Sequence, residues 1–441
     1  MERRPDRRAA LGVASLLLLV GVTALYVNPG QWSSGWMSLA LTTREYSVLL
    51  WPLALAAGAW QGRREHRSGV AELFATTPRS RARRQLPVLL AMAAATSLAY
   101  VLILVVGGVR LVAPAHYFPV RFLAVSAAGV LSLIAAGWLG LGIGRLLPAA
   151  AVVPVLTVAG VLFVVYAAIA APLWPGAVLS PMYGSLQSYP YQTIDGRVSA
   201  AFAVWMAGLA VTGALLLVTE RRRLRVAAVV PALIGIGLAV ATVPRDPAAL
   251  TAPIDPAAAH LVCTGDAPAV CVSRVKAGVL DELTPLAREG LAVLNRLPGT
   301  PTEVHEDIRP DGSWKTPAAP RTDVVLIEVT VDSRGRLAHP DAVVPMVVGS
   351  LGVTSYGPCD NRYAGVERAA AYYLLGREPV SDVGVMPGVT GESPGTNRSA
   401  VTLWRQLRTL PRAVALARIT AVRQAIIDCR DSSELLSRRS P

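Results

Sequence analysis

The sequence predicts an α-helical integral membrane protein with about seven transmembrane helices, followed by a small α+β extracytoplasmic domain. Hydrophobic residues make up 53% of the 441 residues and charged residues only 16%, an apolar share above that of ordinary soluble domains. Residues 1–243 hold the apolar runs together with 20 basic and 7 acidic side chains, whereas residues 244–441 hold 22 of each. Basic residues between apolar runs are typical of cytoplasmic loops, so no nucleic-acid partner is expected.

Seven apolar runs approach the length of about 20 residues that a helix needs to cross a bilayer. The second run is short and contains Pro52. The first run follows MERRPDRR like a signal peptide, but its length, the lack of a prompt cleavage site and the later runs favour a retained helix. The predicted spans are 9–27, 46–60, 86–107, 122–144, 149–171, 199–218 and 226–243.

Arginine counts predict the orientation of these spans. The N-terminus and the segments after the even-numbered spans hold 16 arginines, whereas the opposite segments hold four. Because cytoplasmic loops carry the excess of basic residues, we expect the N-terminus in the cytosol and residues 244–441 outside. The four arginines assigned to the outer segments are Arg44, Arg110, Arg121 and Arg197.

The predicted spans contain no Asp, Glu, Lys, Arg or His in their interiors. Ion-coupled pumps and channels usually bury such groups along their pathway, so this pattern argues against that class. Gly137, Gly140 and Gly144 have the spacing of helix-packing contacts. This glycine stripe predicts close packing either within the chain or in a homodimer.

The loop between the second and third spans holds seven arginines around a small apolar patch. Ser68 can cap a short helix, and Pro78 ends it. Such an amphipathic helix either lies on anionic lipid headgroups or docks in a groove of a cytosolic partner. Its apolar face consists of Val70, Leu73, Phe74 and Thr77.

This loop, with GVAELFATTP at its centre, resembles the loop between the second and third spans of type-2 ABC transporter permeases from GC-rich Gram-positive bacteria. In that family the loop forms a coupling helix that seats on a cytoplasmic ABC ATPase. The resemblance implies the membrane subunit of an exporter, working as a homodimer or with a second permease. The docking residues that it implies are Glu72, Leu73, Phe74, Thr76, Thr77 and Pro78.

The same resemblance implies short re-entrant helices in residues 172–198. The aromatic side chains expected to form an interfacial belt there are Trp174, Tyr183, Tyr189 and Tyr191. An ordinary aromatic loop is the other interpretation of this segment.

The chain departs from the family by its seventh span and its large outer domain. It also lacks a nucleotide site of its own, because neither Lys276 nor Lys315 lies in the G-x4-G-K-[ST] context of a phosphate-binding loop. We therefore expect a non-catalytic transport subunit, with ATP hydrolysis on a partner chain. The alternative is a membrane-anchored extracytoplasmic binding or sensor protein that uses the helix bundle as a scaffold.

The outer half is predicted to comprise a Pro- and Ala-rich linker at 244–260, a domain at 261–430 and a disordered tail at 431–441. Periodicity and stop signals predict helices and strands within the domain. The predicted helices cover 279–297, 361–376 and 412–429, and the predicted strands cover 323–331 and 342–349.

All four cysteines lie in the outer half, where an even number indicates disulfides. Three pairings are open, and we favour Cys263–Cys271 with Cys359–Cys429; four free thiols are the alternative. Catalytic, cofactor and metal sites are not predicted. The cysteines lack C-x2-C spacing, and Ser393 lies in a run of turn formers. His305-Glu306 lacks a second histidine four residues on, so both side chains are expected to lie at the surface.

Overall fold

The computed structural model describes residues 4–67, 81–112, 115–170, 174–182, 190–250, 253–308, 318–332, 334–356, 363–379 and 394–437. The chain divides into two units. Unit 1 comprises Met1–Ala113 with Tyr117–Asp255, and unit 2 comprises Pro114–His116 with Pro256–Pro441.

Unit 1 is helical throughout its long apolar runs, because a helix satisfies every backbone hydrogen bond within the segment itself. Its described helices are α1 (Arg4–Val27), α2 (Trp36–Glu45), α3 (Ser47–Gly62), α4 (Arg64–Arg67), α5 (Arg81–Leu111), α6 (Arg121–Leu146), α7 (Val152–Ile169), α8 (Trp174–Leu179), α9 (Gly196–Val218), α10 (Arg222–Ala227), α11 (Val230–Thr242) and α12 (Pro247–Leu250).

Six described stretches are long and apolar enough to cross a membrane, which indicates a membrane protein. The sequence predicted seven, and the difference lies at 46–60. There the chain forms α3, which has only 16 residues and is separated from α2 by Tyr46. The six stretches are Arg8–Val27, Arg81–Leu111, Arg121–Leu146, Val152–Ile169, Gly196–Val218 and Arg222–Thr242.

The main helices of unit 1 alternate in direction along the chain. α1, α5, α7 and α11 run one way, and α3, α6 and α9 run the other way. The neighbouring residues that establish these directions are Gly21–Ile103 and Tyr26–Val106 (α1, α5), Tyr100–Gly129 and Leu89–Trp138 (α5, α6), Gly58–Gly137 and Gly62–Leu141 (α3, α6), Pro52–Gly160 and Trp51–Phe163 (α3, α7), Trp138–Gly213 and Gly142–Leu216 (α6, α9), and Gly208–Gly235 and Thr212–Ala232 (α9, α11).

Because of this alternation, the starts of α1, α5, α7 and α10 lie at the same end of the bundle as the last residues of α3, α6 and α9. We call it the basic end, because arginines collect there; the other is the opposite end. The described arginines of the basic end include Arg8, Arg63, Arg64, Arg67, Arg81, Arg83, Arg84, Arg145, Arg221, Arg222, Arg223 and Arg225.

The predicted glycine stripe is a contact within the chain, between α6 and α3. A Cβ atom built on Gly140 would lie 2.1 Å from the carbonyl oxygen of Leu55, and one built on Gly144 would lie 2.2 Å from that of Ala59. Both distances are far below van der Waals contact, so the two backbones approach this closely only because these residues have no side chain.

The segment after α8 forms backbone hydrogen bonds with part of the predicted linker. Thr193 N donates to the carbonyl oxygen of Pro253 at 2.9 Å, and Asp255 N donates to that of Tyr191 at 2.8 Å. Tyr191 is only 1% exposed, so the prediction that it belongs to an interfacial belt is wrong. Trp174 begins α8, whereas Tyr183 and Tyr189 lie outside the described residues.

Unit 2 contains a mixed sheet with helices packed against it, which agrees with the predicted α+β class. The described strand order is β1-β2-β3-β5, with β1 antiparallel to β2 and the other pairs parallel, while β4 pairs with β6. The elements are α13 (Pro256–Ala259), β1 (Leu261–Cys263), β2 (Ala269–Ser273), α14 (Leu280–Leu294), β3 (Glu303–Glu306), β4 (Ala318–Arg321), β5 (Val324–Ile327), α15 (Pro340–Gly349), β6 (Thr354–Tyr356), α16 (Ala364–Leu375), α17 (Pro394–Arg408) and α18 (Arg412–Ile427).

The predicted helices at 279–297, 361–376 and 412–429 correspond to α14, α16 and α18, and the strand at 323–331 contains β5. The strand predicted at 342–349 is wrong, because this run belongs to α15. Pro340 occupies the first helical position and Asp341 the first turn, which are both favourable at a helix start. The short apolar run itself does not distinguish a strand from a buried helix.

The sequence predicted a disordered tail at 431–441, but residues 431–437 are ordered in the structure. These residues form a turn, and Leu436 is 1% exposed within the core of unit 2. The carbonyl oxygen of Leu436 also accepts a hydrogen bond from Arg418 Nη1 at 3.0 Å.

Candidate functional site

The predicted docking residues belong to a segment that lies outside the described residues. Helix α4 ends at Arg67 before this segment, and α5 begins at Arg81 after it. Both flanks are at the basic end of the bundle. The placement of the docking residues themselves stays a prediction, and they are Glu72, Leu73, Phe74, Thr76, Thr77 and Pro78.

Both flanks are attached to the bundle at this end. Arg63 Nε, just after α3, donates to the carbonyl oxygen of Pro148 at 2.7 Å. Arg81 Nη1 lies 2.7 Å from Glu220 Oε1, just after α9. Because the Glu220 side chain is 63% exposed, this ion pair contributes at most about 1 kcal/mol. Its consequence is geometric, since it connects the first turn of α5 to the end of α9.

A further basic group belongs to α10. Leu224 and Val226, which lie among these cations, are 50% and 71% exposed. This combination of cations and apolar side chains suits anionic headgroups or an acidic protein surface. The exposed arginines of this group are Arg221, Arg222, Arg223 and Arg225.

Arg44 is a buried cation that the sequence analysis assigned to an outer loop. It lies in the last turn of α2 and is only 1% exposed. Its Nε and Nη2 atoms donate to the carbonyl oxygen of Pro181 at 3.4 and 3.3 Å, and its Cζ atom lies 4.2 Å from the ring centroid of Phe202. Backbone carbonyls and aromatic faces are the groups that stabilise a cation inside an apolar bundle. Arg44 therefore connects α2, residue 181 and α9.

This finding corrects the assignment of Arg44 to an outer loop. The predicted second span began at residue 46, directly after the polar run TTRE, and so it left Arg44 outside. The structure extends helix back to Trp36, and nearly all of α2 is buried. The arginine beside an apolar run was the available signal, but its partners lie 137 and more residues later in the chain.

Unit 2 buries an ion pair between β3 and the short 3-10 helix Arg274–Val279, which precedes α14. Lys276 Nζ lies 2.6 Å from Glu306 Oε1 and donates to the carbonyl oxygen of Val329 at 2.5 Å. Ser273 N donates to the other carboxylate oxygen, Glu306 Oε2, at 2.6 Å. The side chains of Lys276 and Glu306 are 8% and 1% exposed, so each charge depends on the other for solvation.

The expectation that the side chains of His305 and Glu306 both lie at the surface is wrong for Glu306. Adjacent residues of a strand point to opposite faces of the sheet, and β3 turns Glu306 inward. His305 remains partly exposed, and its Nε2 atom lies 2.9 Å from Glu303 Oε2.

Arg423 is a second buried cation of unit 2, on α18. It donates to three backbone carbonyl oxygens, from Nε to Leu351 at 3.0 Å, from Nη1 to Pro298 at 3.0 Å and from Nη2 to Gly299 at 2.5 Å. Burial lowers the pKa of the Arg423 guanidinium. The three carbonyl groups fix α18 to the loops that follow α14 and α15, which is a structural role.

The disulfide Cys263–Cys271 is confirmed. The two residues face each other across the antiparallel pair of β1 and β2, and the bond closes the short turn between them. Cys429 is also disulfide-bonded. Its predicted partner Cys359 lies outside the described residues, so the pairing Cys359–Cys429 stays a prediction.

A search of the described residues finds no group of three or more His, Cys, Asp and Glu side chains that could hold a metal ion. Neither a protein-family model nor a curated protein nor a solved structure matches the chain. The findings thus support a helical membrane protein with six long apolar helices and a small mixed α+β unit that carries a disulfide.

Proposed function

We propose that this chain is the membrane subunit of an ABC-type exporter that works with a separate cytoplasmic ATPase. The observation that carries the proposal is the position of the two flanks of segment 68–80. The last turn before it, at Arg67, and the first turn after it, at Arg81, belong to the arginine-rich end of the bundle. Cytosolic partners meet a membrane protein at its basic end.

The orientation belongs to the same proposal. The basic end faces the cytosol, and residues 244–441 lie on the extracytoplasmic side. Although α3 alone is short, α2 and α3 together run from the opposite end to the basic end, and this seventh crossing keeps all the arginine-rich segments on one side. The disulfide of unit 2 is consistent with an oxidising compartment.

The mechanism is mechanical, and it needs no chemistry on this chain. A push on segment 68–80 acts directly on α3 through α4, and on α5. α3 and α6 touch backbone to backbone at Gly140 and Gly144, so a displacement of α3 carries α6 with it. On the other side, Arg81 and Glu220 connect α5 to the end of α9. ATP-driven movement of the partner would thereby tilt helices on both sides of the loop.

The competing proposal is a membrane-anchored binding or sensor protein. The observation that favours it is unit 2, which has its own apolar core and its own disulfide. A sensor of this kind needs no ATPase, and this difference separates the two functions.

The test is affinity purification of the full-length protein from its native membrane after mild crosslinking. We expect an ATPase with a G-x4-G-K-[ST] loop to co-purify, and Leu73→Asp with Phe74→Asp to reduce its recovery at least about tenfold, since an apolar anchor is lost from the interface. The control is Leu147→Asp with Ala150→Asp, which adds the same charges at exposed positions of the basic end. Failure of the wild type to recover an ATPase, or equal losses in both double variants, contradicts the coupling proposal.

A further inference from the structure

A lateral groove opens between α6 and α9 toward the opposite end of the bundle. The two helices run in the same direction and pack tightly near Gly142 and Gly213, where a Cβ on Gly142 would lie 2.7 Å from the carbonyl oxygen of Gly213. Toward their N-termini they leave a cavity of about 350 Å³ between them. Small side chains create this space, among them Ala124, Ala128, Ala200 and Ala203.

The groove is apolar along its length and charged at its rim. Two polar side chains line the groove, those of Ser199 and Arg121, and Arg121 lies in the first turn of α6. Ala124 and Ala200 are exposed, so the groove is open to the side. The surface beside it is also apolar, since Leu123 is 58% and Val204 37% exposed. An open apolar groove in the wall of a helical membrane bundle suits a hydrocarbon chain better than water.

Arg121 gives this groove a preference for negative charge. It makes no ion pair with any residue that the structure describes, and the first turn of α6 contains no acidic residue. The partial positive charge of the helix N-terminus adds to that of the guanidinium. The start of α9 differs, because Asp195 caps it by accepting from Arg197 N at 2.7 Å. An anionic group at the rim is therefore best placed on the α6 side.

We propose that the α6–α9 groove is a binding site for an anionic phospholipid, with one acyl chain between the helices and the phosphate at Arg121. Chain and headgroup are recognised by separate features, the apolar cavity and the cation. The site is independent of the ATPase partner and lies at the end of the bundle away from Arg67 and Arg81.

The test uses the full-length protein in detergent and native mass spectrometry with added phosphatidylglycerol or phosphatidylcholine. We expect phosphatidylglycerol to bind about fivefold more tightly, the gain that one cation gives for an anionic headgroup. Arg121→Gln should abolish this preference, and Arg121→Lys should retain it. Arg197→Gln is the matched control, because it removes an equal charge from the first turn of α9 without altering the groove lining.

Ala200→Leu tests the acyl chain separately, because it fills the groove from an exposed position. It should weaken the binding of both lipids while the elution volume of the protein stays unchanged. The proposal is overturned if wild-type protein binds both lipids equally, if Arg121→Gln and Arg197→Gln have the same effect, or if folded Ala200→Leu protein binds both lipids as well as wild type does.

Discussion

The buried pair of Lys276 and Glu306 allows a quantitative test of what stabilises unit 2. Glu306→Gln removes the negative charge but keeps an oxygen that can accept from Ser273 N. The Lys276 ammonium, 8% exposed, then retains only the carbonyl oxygen of Val329 as a described partner. Removing one member of a buried ion pair costs about 3–5 kcal/mol, so this change should lower the free energy of unfolding by that amount. Lys276→Met should cost the same, because it leaves the carboxylate uncompensated.

The double variant Lys276→Met with Glu306→Gln should be more stable than either single variant. No buried charge remains, the Ser273 amide keeps its acceptor, and the main loss is the donor to Val329. That loss costs about 1–2 kcal/mol, against about 3–5 kcal/mol for either single variant, so the second substitution should recover at least about 1 kcal/mol. Glu303→Gln is the control on the same strand, because Glu303 is 47% exposed and pairs only at the surface with His305; its effect should stay below about 1 kcal/mol.

Pulse proteolysis of the full-length protein in detergent, over a series of urea concentrations, measures these differences as shifts of the midpoint for cleavage of unit 2. The reasoning is refuted if both single variants remain within about 1 kcal/mol of wild type, or if the double variant is destabilised by the sum of the two single effects.

Two further predictions concern the bundle and the second disulfide. Gly144→Ala should lower the free energy of unfolding by more than the usual cost of overpacking, about 1–3 kcal/mol, because the added Cβ meets backbone atoms of Ala59; the apparent melting temperature in detergent should fall accordingly. Gly237→Ala is the control, because no atom lies within 4 Å of that helix position, and it should leave the melting temperature unchanged. Equal melting temperatures of the two variants would contradict the close α3–α6 contact. Mass spectrometry of the non-reduced, digested protein should recover one peptide pair joined through Cys359 and Cys429 and another joined through Cys263 and Cys271; a crossed pair would disprove the predicted connectivity.

The sequence predicted the long helices well because each is specified by its own apolar run. α6 and α9, for example, begin and end within a few residues of the predicted spans. α14 was equally clear, since its buried residues recur at helical spacing. In both cases the signal is local, and tertiary contacts reinforce it.

Prediction from the sequence failed where contacts between distant segments determine the local structure. β1 and β2 have three and five residues, too few for a periodic pattern, and they form because they pair with each other and β2 pairs with β3. Arg44 is buried because Pro181 and Phe202 surround it, and nothing near it in the sequence indicates those partners. Such placements depend on chain segments more than a hundred residues apart.

The position of Arg44 also constrains the order in which the bundle is assembled. A nascent chain that has emerged only as far as α5 already contains this arginine, but it lacks both the carbonyl oxygen of Pro181 and the ring of Phe202. Until those residues are synthesised, a guanidinium in hydrocarbon would have neither partner, which disfavours early partitioning of α2 into lipid. The environment that surrounds Arg44 in the folded bundle is thus complete only after α9 has arrived.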